Sequence, residues 1–236
     1  MYYFKYDGID SRDMGLVVRK ANTLSSPTRS IETTEIMGRN GSLHIDNGHF
    51  GDRVISFECQ IIADSKEDMA KKATQIFNWL QLNIGYKRLI LSEDPKYYYE
   101  AIFANNIEIT RSIIKVGEVK IIFECKPMKK LISGEEIITI TKPTDIYNST
   151  PHKSNPYIKI YGSGDVTLKI GNQSVLIKDI KDYIELDSEL MDCFKGSESC
   201  NNQLYSMPPQ LNGGRNNISW VGNITKLEIK PRWNNL

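Results

Sequence analysis

The stretch Leu211–Trp233 reads LNGGRNNISWVGNITKLEIKPRW, and its apolar residues alternate with polar ones as β-strands require. A Gly222-Asn223 pair interrupts the alternation in the middle. Because glycine and asparagine accept positive φ, this break predicts a tight turn, and the stretch predicts a β-hairpin that Pro231 ends. Trp220 and Trp233 both lie in this ending, and we expect them to complete a hydrophobic core.

The bulk composition is that of a globular protein with 236 residues, 40% hydrophobic and 25% charged. This length suits one large or two ordinary domains, and we expect two. The net charge of +1 gives no reason for long-range attraction to nucleic acid or to an anionic membrane. We therefore expect neither sequence-specific nucleic-acid binding nor membrane insertion, whereas protein and carbohydrate partners remain open.

No segment predicts export or a membrane anchor. No apolar run reaches the roughly 18 residues that a spanning helix needs, and the N-terminus, MYYFKYDGIDSRDMG, lacks the pattern of a signal peptide. We expect the chain to fold in a reducing cytoplasm. Of its four cysteines, Cys59 and Cys125 occupy strand-like runs as small buried hydrophobes, whereas Cys193 and Cys200 are close in sequence within a loop-like segment.

Residues 1–141 predict an N-terminal β domain, barrel-like, with one helix. Two strand-like runs, RVISFECQII (53–62) and VKIIFECK (119–126), share the triplet FEC, and we expect Phe57 and Phe123 in the core. A helix is predicted at 65–82, because apolar residues recur there at helical spacing between start and stop signals. The expected start is a cap by Asp64 with Glu67 three residues later, and the expected stop is Gly85.

Residues 142–156, KPTDIYNSTPHKSNP, contain three prolines and few apolar residues, so they predict a linker. Beyond it, residues 157–236 carry short β-prone runs. Glycine-rich or asparagine-rich breaks at 162–165 and 171–172 predict tight turns between them. The pattern predicts a C-terminal β-sandwich.

The chain contains no convincing catalytic or metal-binding set. The motif Gly162-Ser163-Gly164 lacks the strand-to-helix context of a phosphate loop or nucleophile elbow. An acidic cluster has no calcium-loop spacing and is interpreted as a solvated strand edge; it comprises Asp182, Glu185, Asp187, Glu189 and Asp192. We therefore predict no enzyme activity, no cofactor and no metal.

Several short motifs together resemble the distal tail protein of siphophages that infect Gram-positive bacteria. In the first domain these are Gly38–Gly41, similar to a GR(D/N)G turn, and the turn-plus-tyrosine segment Asp94–Tyr99. In the second domain they are Asn155–Asp165 (NPYIKIYGSGD), Ile184–Ser188 (IELDS), Gly213–Trp220 (GGRNNISW) and Lys230–Trp233 (KPRW). The motifs span nearly the whole chain, although each alone has low specificity.

The resemblance implies a structural protein of the virion. It implies a hexameric hub ring at the distal end of the tail, assembled in the host cytoplasm, that joins the tail tube to the baseplate or tail tip and its adhesion device. The ring would surround a channel for DNA. The implied partners are other copies of the chain, the tail tube protein, the tail-tip or tail-associated lysin protein and a receptor-binding protein. The second domain is expected to be a galectin-like sandwich.

Two sets of residues follow as candidate sites. The turn of Gly38, Arg39, Asn40 and Gly41 is expected to reach a neighbouring subunit of the ring, because hairpin tips supply contacts between β domains. The alternative function is a carbohydrate-binding module that recognises host cell-wall glycans. On that reading, Tyr157, Tyr161 and Tyr183 would contact the glycan.

Overall fold

A computed structural model describes residues 2–82, 84–103, 106–113 and 115–236. The contacts divide the chain into two compact units, one extending to Lys129 and one from Lys130 to Asn235. The fold is mainly β with one α-helix among the described residues, which confirms the predicted class.

The first unit is an antiparallel sheet with one helix. Its elements are β1 (Phe4–Tyr6), β2 (Ile9–Asp10), β3 (Leu16–Asn22), β4 (Arg29–Glu35), β5 (Ser42–Phe50), β6 (Arg53–Ile62), α1 (Lys66–Gln81), β7 (Lys87–Leu91), β8 (Tyr97–Ile102), β9 (Ile109–Ile113) and β10 (Val116–Cys125). The strand order is β2-β1-β7-β8-β10-β6-β3, with β9 beside β10. Strands β4 and β5 form a separate two-stranded sheet.

Aromatic rings fill the centre of the first unit. Phe57 and Phe123 are fully buried, and their ring centroids lie 6.1 Å apart in an edge-to-face arrangement. The Phe4 ring stacks on Phe57 at 4.2 Å. Trp79 of α1 lies 5.9 Å from Phe4 and donates its indole N–H to the carbonyl of Tyr6. The buried face of α1 is therefore held against the sheet by ring contacts and by one hydrogen bond.

The helix begins one residue later than the predicted cap. Ser65, and not Asp64, is the N-cap: its hydroxyl accepts the backbone N–H of Asp68 at 3.1 Å. The Asp68 carboxylate in turn accepts the N–H of Asp64 at 3.0 Å. Asp68 thus donates its N–H to the Ser65 hydroxyl and accepts the N–H of Asp64, so the predicted pairing of Asp64 with Glu67 is replaced by contacts through Asp68.

The second unit contains one antiparallel sheet with three long strands. Its elements are β11 (Lys129–Leu131, at the boundary), β12 (Ile138–Ile140), β13 (Thr144–Asn148), β14 (Tyr157–Ile170), β15 (Gln173–Asp187), β16 (Asp192–Lys195), β17 (Glu198–Ser199), β18 (Gly214–Lys230) and β19 (Asn234–Asn235), with 3₁₀ helices at Ile132–Glu135 and Asn201–Gln203. Its sheet order is β12-β18-β14-β15-β16-β17, with β13 also beside β18.

The predicted boundary at 141 and the predicted linker 142–156 differ from this division. Strand β13 lies inside the predicted linker and pairs with β18 from Thr144 opposite Ile218 to Asn148 opposite Gly214. Ile146 and Asn148 are buried. A polar, proline-rich segment can contribute a strand when its few inward residues suit the sheet, so these residues belong to the second unit.

The predicted terminal hairpin is instead one strand, β18. Gly222 has φ +103°, and a Cβ there would lie 2.6 Å from the carbonyl oxygen of Asp165. The glycine therefore marks a close approach of β14, where the pairing register shifts, and the chain does not reverse. The predicted turn at 162–165 lies inside β14 for the same reason. Positive φ alone does not distinguish a bulge from a turn.

Both halves of the long strands share one core. Ile158 and Ile160 from the first half of β14 and Leu168 from its second half are all fully buried in a single cluster. Trp233 is 6% exposed within this cluster, whereas Trp220 is only partly buried against it. The register shifts between β14 and β18 therefore lie within a strand pair whose two halves contribute to the same core.

We predict that Gly222→Ala lowers the free energy of unfolding by about 3 kcal/mol, because the alanine meets both a disfavoured φ and the Asp165 carbonyl. Urea denaturation measures the change. The matched control is Gly164→Asn, at φ +75° with no neighbouring atom within 4 Å of its Cβ position, where asparagine should cost less than about 1 kcal/mol. Equal losses for both variants would contradict the close-approach explanation.

Candidate functional site

The first candidate surface is the hairpin of β4 and β5 with its turn, called the arm below. The turn runs through Gly38 and Gly41, at φ +81° and +85°, and the Arg39 N–H donates to the carbonyl of Ile36. Side chains at the turn have no covering layer within the unit: Met37 is fully exposed. A two-stranded hairpin on its own is at best marginally stable in water. The arm thus lacks the support that stabilises the rest of the unit.

One face of the arm carries two exposed apolar side chains next to each other on β5. Thr34 lies opposite Leu43 and Glu32 opposite Ile45, so these four side chains share one face. Leu43 is 39% exposed and Ile45 is 46% exposed, which leaves an apolar strip in contact with water. The other face carries Ile31, which is 50% exposed, together with the Thr33–His44 hydrogen bond and the Arg29–Asp46 ion pair.

A buried arginine lies directly after the arm. Arg53 starts β6 and is only 7% exposed, but its Nε and Nη1 atoms have no hydrogen-bond partner among the described residues. Its guanidinium lies 5.1 Å from the centroid of the Tyr99 ring. Buried guanidinium groups normally have acceptors, because the desolvated N–H groups are otherwise costly. The base of the arm therefore contains buried hydrogen-bond donors that have no acceptor among the described residues.

The second candidate surface lies on the outward face of the long sheet in the second unit. Tyr161 lies opposite Tyr183 on β15 and Lys226 on β18, and Lys159 lies between Glu185 and Glu228 in the next row. Tyr157 occupies the third row. We call this set the polar aromatic face; it comprises Tyr157, Lys159, Tyr161, Tyr183, Glu185, Lys226 and Glu228.

The three tyrosines predicted to contact glycans do meet on this face. The rings of Tyr161 and Tyr183 are 6.0 Å apart, but Lys226 lies 4.0 Å from the first centroid and Lys159 lies 3.9 Å from the second. The Tyr161 hydroxyl donates to the Glu228 carboxylate, and the Tyr157 hydroxyl donates to the Glu185 carboxylate. Burial and the neighbouring Glu185 carboxylate raise the pKa of Tyr157. The hydroxyl groups of Tyr157 and Tyr161 therefore already have hydrogen-bond acceptors within the face.

An open cleft adjoins Tyr157. Its volume is about 400 Å³, and Glu135, Ile137, Lys230 and Arg232 contribute to its lining. Three acidic and three basic side chains surround it, so the cleft offers both donors and acceptors. Such a lining suits a polar, uncharged ligand better than an ion.

A buried ion pair in the second unit joins Asp187 to Arg232. The guanidinium donates to both carboxylate oxygens, at 2.7 and 2.9 Å, and the Asp187 side chain is only 8% exposed. Burial opposes the charged carboxylate, but Arg232 and the N–H groups of Glu189 and Leu190 outweigh it and lower the pKa of Asp187. The interpretation of the acidic cluster as a solvated edge was wrong for Asp187 and Glu185, which are buried and paired.

This ion pair lies where several sequence motifs converge. Arg232 belongs to KPRW, and Asp187 belongs to IELDS. Beside them, the Ser154 hydroxyl donates to the carbonyl of Pro231 at 2.7 Å, and the Ser188 N–H donates to the carbonyl of Pro156 at 3.0 Å. The motifs are thus structural: they hold together the ends of β14, β15 and β18. No spacing rule in the sequence pointed to this arrangement.

Asparagines tie the GGRNN motif to the start of the second unit. Asn216 is buried, and its carboxamide accepts the N–H of Asn212 and donates to the carbonyl of Asn212. Asn148 is also buried and donates to the carbonyls of His152 and Asn212. These side chains satisfy loop backbone groups that no strand reaches.

The described residues contain no cluster of histidine, cysteine and carboxylate side chains suited to a metal ion. Within the same part of the chain, no helix has the length and apolarity to cross a bilayer.

Comparisons with known proteins bear on both units. Residues 1–127, more than half of the chain, match the family model described as phage tail protein N-terminal domain. No curated protein matches the sequence. The fold is similar to the Dit protein (gp 19.1) of SPP1, described as a paradigm of the hub adsorption apparatus in phages infecting Gram-positive bacteria, with a TM-score of 0.79, 14% identity and full coverage of both chains.

A second solved structure has the same fold in a looser superposition. A chain of the phage P2 baseplate in its activated conformation with calcium matches with a TM-score of 0.54 and 12% identity, covering 97% of this chain and 96% of that one. The strontium form of the same baseplate gives a TM-score of 0.52. At these identities the likeness shows the fold.

We predict that Asp187→Asn lowers the free energy of unfolding by about 3 kcal/mol at neutral pH, because Arg232 loses its buried counter-charge. The folded-state pKa of Asp187 is lowered, so its stabilisation is present above the unfolded pKa near 4 and is lost as pH falls. The difference between wild type and variant should therefore shrink below pH ~4.

Urea denaturation at several pH values measures this difference. The control is Asp182→Asn on the same strand, because the Asp182 side chain is 89% exposed and its change should be within about 0.5 kcal/mol at every pH. A pH-independent loss for Asp187→Asn would contradict the assigned role.

Proposed function

Because the chain belongs to the family of phage tail proteins that share this N-terminal domain, we propose that it is a structural protein of the virion at the distal end of the tail. The similarity to the SPP1 Dit fold over both whole chains supports a role in the tail or baseplate. No catalytic step is part of this proposal.

In the proposed assembly, six copies form a hub ring around a channel through which DNA passes. The ring would join the tail tube protein to the tail-tip or lysin protein and to a receptor-binding protein, as the resemblance to distal tail proteins implies. Its first unit would build the ring, and its second, galectin-like unit would face outward. The near-neutral net charge of +1 is compatible with a channel that does not hold DNA tightly.

The arm is the observation that carries the assembly proposal. Its apolar strip at Leu43 and Ile45 is uncovered, and its two strands pair only with each other within the described residues. A ring needs heterologous contacts, in which one surface of each copy meets a different surface of the next. If a neighbouring copy covers the apolar strip of the arm, this contact is heterologous and also stabilises the two-stranded hairpin.

We predict that the double variant Leu43→Glu, Ile45→Glu abolishes the ring, because two carboxylates would be buried in the contact. Native mass spectrometry of the wild type should give six times the chain mass of 27.0 kDa, and the variant should give smaller species. The control is Thr33→Glu on the opposite face of the arm, which should retain the ring. An unchanged hexamer in the double variant would contradict the role of the strip.

The tip of the arm is tested in the same experiment. If Gly38–Gly41 reaches a neighbour, deletion of these four residues should weaken the hexamer at low protein concentration, and Arg39→Ala should weaken it less. Dilution from micromolar to nanomolar concentration distinguishes the two cases. Identical dissociation of wild type and deletion variant would exclude the tip from the interface and leave the strip as the contact.

The cleft beside Tyr157 favours a second candidate function, recognition of host cell-wall glycans. Its mixed lining of acidic and basic side chains can bind hydroxyl groups, and Tyr157 supplies an aromatic ring. Titration calorimetry with host wall polysaccharide tests it: binding that Lys230→Ala reduces at least about tenfold supports the glycan site. Heat changes that are identical in the variant, or absent in the wild type, would exclude it.

A further inference from the structure

The short hairpin of β16 and β17 brings two cysteines opposite each other. Phe194 pairs with Ser199, so the next pair outward is Cys193 opposite Cys200. The Cys200 N–H donates to the Cys193 carbonyl at 2.7 Å. Hydrogen-bonded residue pairs in antiparallel strands have Cα atoms about 5.5 Å apart, which lies within the range that disulfides adopt. The backbone separation therefore suits a disulfide.

The two side chains also point to the same side of the hairpin. Cys193 is fully buried in the core cluster of the second unit, and Cys200 packs partly buried against that cluster. Both are free thiols in this structure. The Cys200 sulfur lies 3.7 Å from the Glu198 carbonyl oxygen, so rotation about its Cα–Cβ bond is the movement that bond formation requires.

We propose that Cys193 and Cys200 form a redox-modification site, which closes into an intrachain disulfide once the protein leaves the reducing cytoplasm. The pairing itself follows from the hairpin geometry. Its physiological setting rests on the proposed function, because a virion protein acts outside the cell, where disulfides persist.

The bond forms by two thiol–disulfide exchanges with a small disulfide as oxidant. The Cys200 thiolate attacks one sulfur of the oxidant, forms a mixed disulfide and releases the first small thiolate. The Cys193 thiolate then attacks the Cys200 sulfur, forms the intrachain bond and releases the second small thiolate. The two protein thiols lose two protons and two electrons, and the oxidant leaves as two thiols.

The order of attack follows from burial. Burial, with smaller contributions from Cys200 and Asp192, raises the pKa of the Cys193 thiol to about 12. A thiol with so small a thiolate fraction reacts slowly with external reagents, and Cys193 is also inaccessible. Cys200 is the partly exposed member of the pair, so it meets the oxidant first.

The bond would fix one margin of the polar aromatic face. Within this hairpin, the Phe194 ring lies 6.5 Å from the Tyr157 ring, and the Lys195 ammonium donates to the carbonyl of Lys181 at 2.6 Å. Local opening of a short edge hairpin costs little free energy, and a crosslink removes most of the open states. Oxidation would therefore hold the face in its closed arrangement.

The other two cysteines provide an internal control. Cys59 lies opposite Val119 on paired strands, whereas Cys125 is six residues further along β10. At about 3.3 Å per residue the two Cα atoms are roughly 20 Å apart, so they cannot bond without unfolding.

Peptide mapping tests the proposal on the reduced wild-type chain, incubated with millimolar oxidised glutathione and then quenched with N-ethylmaleimide. Trypsin cuts after Lys195, between the two cysteines, so the bond joins peptides 182–195 and 196–215 with the loss of two hydrogen atoms. We expect this linked pair to be the main form, to vanish with dithiothreitol, and to raise the melting temperature by about 5 °C.

Recovery of Cys193 and Cys200 on separate peptides from the oxidised, folded chain would overturn the proposal. Cys193→Ser should accumulate glutathione on Cys200 at least about tenfold faster than Cys200→Ser accumulates it on Cys193. Equal rates would overturn the order of attack. The native mass of the same samples reports ring assembly separately, so a failure of the proposed function is distinguishable from a failure of the disulfide.

Discussion

The second unit depends on one buried ion pair, Asp187 with Arg232. The pair joins the end of β15 to the segment after β18, and its two parallel hydrogen bonds fix both distance and orientation. Because the pair is buried, each partner is stable there only when the other is present: either one alone would be a desolvated charge. Two hydrogen bonds beside it, from Ser154 to the carbonyl of Pro231 and from Ser188 to the carbonyl of Pro156, require the same arrangement of strand ends. The motifs IELDS and KPRW, which look unrelated in the sequence, therefore supply the two partners of one ion pair.

The two candidate surfaces differ in how fully their groups are paired within the chain. On the polar aromatic face, Lys159 forms an ion pair with Glu185, and the Tyr161 hydroxyl donates a hydrogen bond to Glu228. The arm instead leaves apolar side chains and strand edges uncovered. A face whose polar groups are already paired can remain exposed to water, whereas a face with exposed apolar side chains favours burial by a neighbour. This contrast, more than any single residue, makes the first unit the better candidate for the contacts of the proposed ring.

Alternation along single strands made much of the fold predictable, as Phe57 and Phe123 illustrate. Three features were not predictable, two of them because the deciding partner is distant in sequence. Gly222 looked like a turn because only the approach of Asp165 distinguishes a bulge. Asp187 looked solvated because its cation lies 45 residues later. The tip of the arm was identifiable from its glycine and asparagine residues, but the apolar strip beside it required the strand register.

The position of β18 in its sheet also bears on how the chain is made. This strand lies between β12 and β14 and pairs with β13 as well, although it is translated after all three of them. On the ribosome, the first unit can complete its core while the second still lacks its central strand. A chain released before Gly214 would carry a folded first unit and an incomplete second one, with the edges of β12, β13 and β14 unpaired. Translation order thus sets which partial products are prone to aggregate.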